Sequence, residues 1–475
     1  MFVVDFLNNI LWSYVVILGL LGVGIYFTIQ TGFVQFRYVR EMVRVAFEKT
    51  PIQQPGEKPI SAFKSFCIGS ATRIGTGNLA GVAVAVTLGG PGAVFWMWIV
   101  ALLGGATSFI ESTLAQIYKA KDQDKPGTYR GGPAYYITKG LNNRWLGAIV
   151  AILSTFTFGL VFNSVQSNTI SAAFETAFGL NTVIAGIILV LLTGIIIYGG
   201  VHRIANVTSV IVPFMALSYI IIALYVLITN IHHFPAVISL IVGSALGLEQ
   251  AIGGGIGAAI MHGVRRGLFS NEAGMGSTPN AAATAHVSHP AKQGFMQTLG
   301  VYFDTLIVCT ATAFIILIST DVYTSGNYEG INLLQAALSS QIGEWANIFI
   351  AIAIFLFAFS SIIGSYYYGE TNLQLIKKGK QTLHVYRFAT MVFVMIGSIV
   401  GLGAVWEVAD LFMAMTTIIN LTAIGLLSGI AFKVLNDYET QRKQGLNPTF
   451  NPIKLGIKNT ESWDVEVKND QQKVS

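Results

Sequence analysis

Long apolar stretches alternate with short polar ones along most of the chain. A bilayer span takes roughly 20 mostly apolar residues. Eleven stretches reach that length, near 11–29, 66–89, 93–118, 146–170, 183–199, 207–229, 236–261, 295–319, 346–368, 384–403 and 408–432. The pattern predicts an all-α integral membrane protein of about 11 transmembrane helices. Between the first two stretches, Phe36, Val39, Val43 and Phe47 recur at helical spacing, with Arg37, Arg40, Arg44 and Glu48 at the other positions. That predicts an amphipathic helix lying on the inner membrane surface. After about Lys433 the chain turns polar and rich in Asn and Lys, which predicts a flexible cytoplasmic extension.

Composition agrees with lipid as the main solvent. The 475 residues are 53% hydrophobic and 11% charged, against roughly 25% charged in a soluble domain. The net charge of +5 is explained by where the charges lie. An odd number of spans puts the two ends on opposite sides. With the N-terminus outside, every one of the 28 Lys and Arg residues except Arg73 falls on the inner side. That count takes Arg265, Arg266 and Lys292 as the loop after the seventh span. The outer segment 319–345 carries Asp321, Glu329 and Glu344. The basic balance is thus a topology signal and implies no nucleic-acid partner. Cys67 and Cys309 sit inside apolar runs, as buried small residues do. No Lys or Arg precedes the first apolar run, so no cleavable signal peptide is expected.

Two spans contain residues that break helices. The second holds Arg73-Ile74-Gly75-Thr76-Gly77-Asn78, and the seventh holds Ala251-Ile252-Gly253-Gly254-Gly255-Ile256-Gly257-Ala258. A broken helix in hydrocarbon leaves backbone N–H and C=O groups without partners, which is tolerated where they face a cavity or ligand. Close packing through small residues is the other reading. Ile74, Gly75 and Gly77 align with Ile252, Gly253 and Gly255. Five spans follow from each break, and five being odd, the two sets insert with opposite orientation. Paired breaks in inverted halves mark the binding site of a secondary transporter. Backbone at Gly75–Gly77 and Gly253–Gly255 would line a small pocket. Free N–H groups at half-helix N-termini suit a carboxylate, and free carbonyls at C-termini suit a cation.

The stretches Gly75-Thr76-Gly77-Asn78-Leu79-Ala80-Gly81-Val82-Ala83 and Gly267-Leu268-Phe269-Ser270-Asn271-Glu272-Ala273-Gly274-Met275-Gly276-Ser277 resemble hallmarks of the alanine or glycine:cation symporter family, also called sodium:alanine symporters. Gly131-Gly132-Pro133-Ala134-Tyr135-Tyr136 is similar to a third. The resemblance runs from about Gly32 to Lys433. It implies a five-plus-five inverted repeat similar to the bacterial leucine transporter, with an extra N-terminal helix, in a prokaryotic cytoplasmic membrane. The expected division is residues 1–30 for the extra helix, 31–64 for a cytoplasmic loop, 65–230 and 235–433 for the two repeats, and 434–475 for a cytoplasmic tail.

By the same resemblance, Thr76 and Gly77 bind the substrate carboxylate, Gln250, Gly253 and Ile256 come from the second break, and Gln166 contacts substrate. Gln166 also has the alternative of bonding a neighbouring helix. Tyr366 would line the pocket. Sodium, the coupling ion, would take carbonyls of Ala71 and Ile74 and hydroxyls of Ser360 and Ser361, unless the two serines are packing residues bonded to carbonyls one turn back. Arg73, Glu111, Glu249 and Asp304 are intramembrane charges that either pair with one another or relay ions, and Glu272 is expected at the cytoplasmic end of the seventh span as part of an inner gate.

The function expected is sodium-coupled symport of a small neutral amino acid, alanine or glycine, by alternating access. Proton coupling is the second reading and an ion channel the third, though a channel normally repeats its filter in symmetric subunits. No Walker-type loop and no Ser-His or His-Glu-His set at membrane depth suggests ATP-driven transport or an enzyme. His262, His286 and His289 fall in or beside the inner loop.

Overall fold

A computed structural model describes residues 2–50, 59–122, 127–248 and 255–463. Among the described residues, eight helices are long and apolar enough to cross a bilayer: Val3–Gln30, Gly92–Ile117, Arg144–Phe178, Gly200–Thr229, Ala291–Ile318, Trp345–Ile376, Lys380–Ile399 and Leu402–Lys443. Thr182–Ile197 is a shorter apolar helix at the expected fifth stretch. The second stretch is broken as expected, into Ala62–Arg73 and Gly77–Gly89.

The seventh stretch is interrupted between the helices Phe234–Ala245 and Ile256–Asn271, with residues 251–254 of the expected break outside the described residues, and a further break follows beyond the stretch. Ile256–Asn271 is continuous helix, and it ends at Glu272, whose φ is +60°. Gly274 and Gly276 follow at φ +92° and +81°, a left-handed backbone that glycine adopts at little cost, and helix resumes at Pro279–Ala282. The break therefore spans Asn271–Ser277. Gly255 and Gly257, the described part of the glycine run, lie a helix length away. A Cβ on Gly255 or Gly257 would meet nothing within 4 Å, and Ile256 is 46% exposed. Gln250, Gly253 and Glu249 lie outside the described residues.

The two broken helices run antiparallel along their whole length. Gly89 lies against Ala258 and His262, and Gly77 against Phe269 and Ser270. Past the breaks, Arg73 reaches Thr278 and the Ser65 hydroxyl donates to Ala281 O at 2.8 Å. Glycine makes this approach possible, because a Cβ on Gly77 would stand 2.9 Å from Ser270 Cα. Arg265, Arg266 and His262 thus lie on the half running away from the basic end of the molecule, and the inner-loop assignment above is corrected. Phe234–Ala245 packs at that far end, where Gly92 would meet the Ala245 backbone.

Wider helical turns of the π type occur at Leu11–Val16 in the first helix and, closer to the centre, at Gly77–Gly81, Thr157–Val161 and Phe303–Cys309. Such turns often mark places where a helix gives up regularity for a site, and those at Gly77–Gly81 and Phe303–Cys309 lie at the paired breaks, where Asp304 bonds Asn78 and Ser270. The Thr157–Val161 turn is closed by Asn163 Nδ2 donating to Gly159 O at 2.8 Å.

At the basic end, Val39–Ala46 is helical with Phe36, Val39, Val43 and Phe47 exposed, as the pattern predicts. Its other faces are engaged: Met42 and Val45 are buried, and Arg37 pairs with Glu439 at 2.5 Å. The expected flexible tail is ordered instead as far as Trp463. Leu402–Lys443 continues as helix beyond the apolar span, and the chain then folds back. Phe450 N–H donates to Ser288 O at 2.9 Å, and Trp463, 2% exposed, donates from its indole to Gln116 O at 2.8 Å. Lys119 Nζ sits between the rings of Tyr129 and Trp463, 4.0 and 4.5 Å from their centres. Burial of two aromatic rings and a cation between them outweighs the polar composition that suggested disorder.

Candidate functional site

The backbone N–H groups freed at the first break are met by side chains. Thr76 donates from both its N–H (3.0 Å) and its hydroxyl (2.6 Å) to Gln166 Oε1. Gly75 N–H donates to Asn78 Oδ1 at 3.0 Å. Gln166 projects from Phe162–Phe178, the helix resuming after the Thr157–Val161 turn. Both readings of Gln166 meet here: it bonds a neighbouring helix, and it does so at the very N–H expected to hold a carboxylate. Thr76, Gly77 and Gln166 are brought together.

The expected cation ligands also converge. Ser361 Oγ donates to Ala71 O at 2.7 Å and lies 3.4 Å from Thr72 O, and Ser360 Oγ lies 3.4 Å from Ala71 O. Both hydroxyls also reach Phe357 O, at 2.8 and 3.0 Å, so the packing alternative describes part of their bonding. A Cβ on Gly75 would overlap Ser361 Oγ, so the first break itself lies against that hydroxyl. These oxygens are hard, uncharged ligands of the kind an alkali cation prefers to soft or nitrogen donors.

Tyr366 is corrected. It lies a turn further towards the basic end, where its hydroxyl donates to Glu370 Oε2 at 2.7 Å, receives Arg387 Nε at 3.2 Å, and its ring stacks on Tyr386. Tyr368 stands nearer the break, its hydroxyl 2.8 Å from Thr72 Oγ1. Ile256, at the far end, is likewise removed from the site.

The second break is held by carboxylates. Glu272 lies within it and accepts from Ser277 (2.7 Å), Thr278 (3.1 Å) and Thr72 (3.2 Å), which ties the two breaks together. Glu111 accepts from Gly274 N–H at 3.2 Å and from Asn420 Nδ2 at 2.8 Å. Asp304 accepts from Asn78 Nδ2 (2.6 Å), Ser270 (2.9 Å) and Thr305 (2.8 Å). Arg73 donates to Thr278 and, at 2.8 Å, to Gln297. Among the described residues, Arg73, Glu111 and Asp304 are therefore held by hydrogen bonds with neutral side chains and backbone rather than by pairing with one another, with Arg73 Nη1 left without a partner.

The apolar wall was missed by sequence reasoning. Phe269 touches Gly77, with its ring 5.0 Å from that of Phe162 and 4.7 Å from that of Trp406. Phe158 continues the cluster to Phe162 and Tyr368. Phe269 belongs to a hallmark stretch, and that was the available signal. Backbone donors, hydroxyl and carbonyl oxygens, and an aromatic lid are together what a small zwitterion and a cation require.

The fold is that of the bacterial leucine transporter. Over 80% of this chain and 89% of that chain, it superposes on the crystal structure of MhsT in complex with L-phenylalanine with a TM-score of 0.53 at 12% identity. A manganese transporter of Eremococcus coleocola gives 0.52 at 13% identity, covering 84% and 85% of the two chains. In sequence, the chain is 56% identical to the amino-acid carrier protein AlsT of Bacillus subtilis over 97% of both chains. It is 52% identical to the probable sodium/glutamine symporter GlnT of the same organism, over 98% of this chain and 97% of that one. It is 36% identical to the sodium/alanine symporter AgcS of Methanococcus maripaludis, over 93% and 97%. With residues 1–452 matching the family described by the same words, the chain belongs to the sodium:alanine symporter family.

Proposed function

We propose that this secondary transporter, which is not an enzyme, carries a small neutral amino acid into the cell with sodium, and that the paired breaks at 73–77 and 271–277 are its site. Thr76 and Gly77 N–H groups take the substrate carboxylate, in exchange for Gln166 Oε1. Ala71, Ile74, Ser360 and Ser361 take sodium. The observation that carries this reading is the bond from Thr76 N–H to Gln166, a backbone donor at a half-helix N-terminus answered by one neutral, movable acceptor. A carboxylate replaces that acceptor with a stronger, charge-assisted bond.

Alternating access then has a physical basis. Glu272 bonds both breaks, so the two half-helix pairs move as a unit against the surrounding helices. Eleven crossings, with the N-terminus outside and the basic end in the cytoplasm, accord with the basic residues other than Arg73, Arg265 and Arg266 lying on one side. The division at 1–30, 31–64, 65–230, 235–433 and 434–475 is kept, with the second break moved inside its repeat.

Substrate size follows from Phe269 over Gly77, with Phe162 and Trp406 packed on its ring. Alanine or glycine fits under such a lid with its charged ends on the backbone. Glutamine, carried in one relative's name, is the larger contender. Competition of labelled L-alanine uptake by glycine, D-alanine, L-glutamine and L-leucine tests this. Inhibition by the first two and weak inhibition by the last two is expected. Equal inhibition by L-leucine would overturn the size argument.

A further inference from the structure

The chain beyond Lys443 plays no part in the proposed function, yet it is ordered at the basic end as far as Trp463. A helix leaves its last carbonyls without partners, and this segment supplies donors where two helices, Gly92–Ile117 and Pro133–Gly140, come to an end. Trp463 Nε1 donates to Gln116 O at 2.8 Å, Ser462 Oγ to Lys119 O at 2.9 Å, and Asn459 Nδ2 to Lys139 O at 2.9 Å. Ser462 and Trp463 are both buried by these contacts.

Gln116 and Lys119 in turn hold the chain that leaves the second break. Gln116 Nε2 and Lys119 Nζ donate to Ala285 O, at 3.0 and 3.1 Å, and the Trp463 ring lies over that ammonium. Three residues on, Ser288 is bonded to the segment twice: its O accepts from Phe450 N–H at 2.9 Å, and its Oγ donates to Pro448 O at 2.7 Å. At its other end the segment is continuous with Leu402–Lys443, and Lys433 Nζ donates back to Leu455 O at 2.7 Å. It thus bridges a surrounding helix and the pair of half-helices. The basic end of that pair cannot swing away from Leu402–Lys443 while the Ser288 bonds stand.

We propose that residues 444–463 form a strap that holds the basic end closed and must lift before that end opens, so that the chain restrains its own release of substrate to the cytoplasm. The inference rests on the proposed function for the movement that the strap opposes. A segment that only capped helix ends would stabilise the open and closed forms alike. A strap bonded across the line of opening binds the closed form alone, and weakening it shifts the population towards the open one.

Asn372 can report the opening. It lies buried on Trp345–Ile376 and donates to Asn280 Oδ1 at 2.9 Å across the same line. Asn372→Cys is placed in the full chain with Cys67→Ala and Cys309→Ala, and the reaction of its thiol with a maleimide is timed on purified protein in sodium. Trp463→Phe removes one strap bond and keeps a ring over Lys119, and a chain ending at Leu446 removes the strap. The thiol at position 372 should react about fivefold faster in Trp463→Phe, as loss of one hydrogen bond gives. It should react faster still in the shortened chain, and a peptide of residues 444–463 added to that chain should slow it again. An unchanged reaction rate in both variants, whether or not the melting temperature falls, would overturn the proposal and leave the segment a cap on two helix ends. Faster reaction that the peptide does not slow would overturn it too, as general loosening. Labelling needs no transport, so a wild-type chain that carried no alanine would count against the proposed function while the strap was still read.

Discussion

Gln166→Glu tests the exchange at Thr76 most sharply, because it changes charge and almost no shape. Gln166 Oε1 accepts two bonds from Thr76, at 3.0 and 2.6 Å. As a carboxylate, the same atom accepts them as a charged group. A hydrogen bond to a charged group contributes about 1.5–3 kcal/mol, against about 1 for a neutral pair. The variant therefore strengthens the resident acceptor by about 1–2 kcal/mol, and a substrate carboxylate must displace it at that added cost. Affinity falls by about 5- to 30-fold, and repulsion between two carboxylates adds to the loss. The assay is the KM for labelled alanine in membrane vesicles at pH 8, with transporter abundance measured in parallel. Gln166→Asn, which shortens the side chain and keeps it neutral, separates loss of reach from added charge. A wild-type KM in Gln166→Glu at wild-type abundance would refute the placing of the carboxylate at Thr76.

Three further outcomes follow from the geometry. Ser361→Ala removes the hydroxyl 2.7 Å from Ala71 O, and the sodium concentration for half-maximal uptake should rise about 5- to 150-fold; unchanged sodium dependence in both Ser360→Ala and Ser361→Ala would place the cation elsewhere. Gly77→Ala sets a methyl 2.9 Å from Ser270 Cα and 3.1 Å from the Phe269 ring, overpacking that costs about 1–3 kcal/mol, so uptake should fall steeply while Gly255→Ala, with open space round its Cβ, keeps it; the reverse order would restore the glycine run as the break. Burial, and then Lys119 and Lys121, hold His286 down to about 4 from its ordinary 6.5. Its neutral form therefore stabilises the folded basic end above pH 6.5, and that stability is lost as pH falls from about 6.5 to 4, by up to about 1.4 kcal/mol per unit. Amide exchange at Phe450 and Trp463, relative to intrinsic rates, should quicken from pH 7 to pH 5 in wild type and not in His286→Asn.

How much of this was legible in sequence depended on whether the signal was local. Thr76 between two glycines inside an apolar run is a break by propensity alone, and it is where the chain breaks. The break at Asn271–Ser277 went unread because four glycines in five residues, Gly253–Gly257, carried the stronger propensity signal. Propensity does not see that Glu272 takes a left-handed conformation because Ser277, Thr278 and Thr72 bond its carboxylate. The readable signal was the Gly-x-Gly spacing shared by Gly75–Gly77 and Gly274–Gly276. Moving the break also moved Arg265 and Arg266 off the inner loop, since a charge count cannot tell a loop arginine from one buried against Asp410. Tyr366 was expected to line the pocket, but Glu370 and Arg387 draw its hydroxyl away. The ordered tail was hidden because its anchors, Phe450 and Trp463, are two aromatics in a polar stretch.

Sodium-driven accumulation of alanine tests the central claim most directly. Purified protein is reconstituted into liposomes with labelled L-alanine at equal concentration inside and out, and a sodium gradient is imposed inwards at constant ionic strength and pH. If the paired breaks hold an amino acid and sodium together, label should rise transiently above its equilibrium level, collapse when the gradient is dissipated, and fail to rise in Ser361→Ala at subsaturating sodium. Label that stays at equilibrium under the sodium gradient, or rises equally under a proton gradient with no sodium present, would contradict the account.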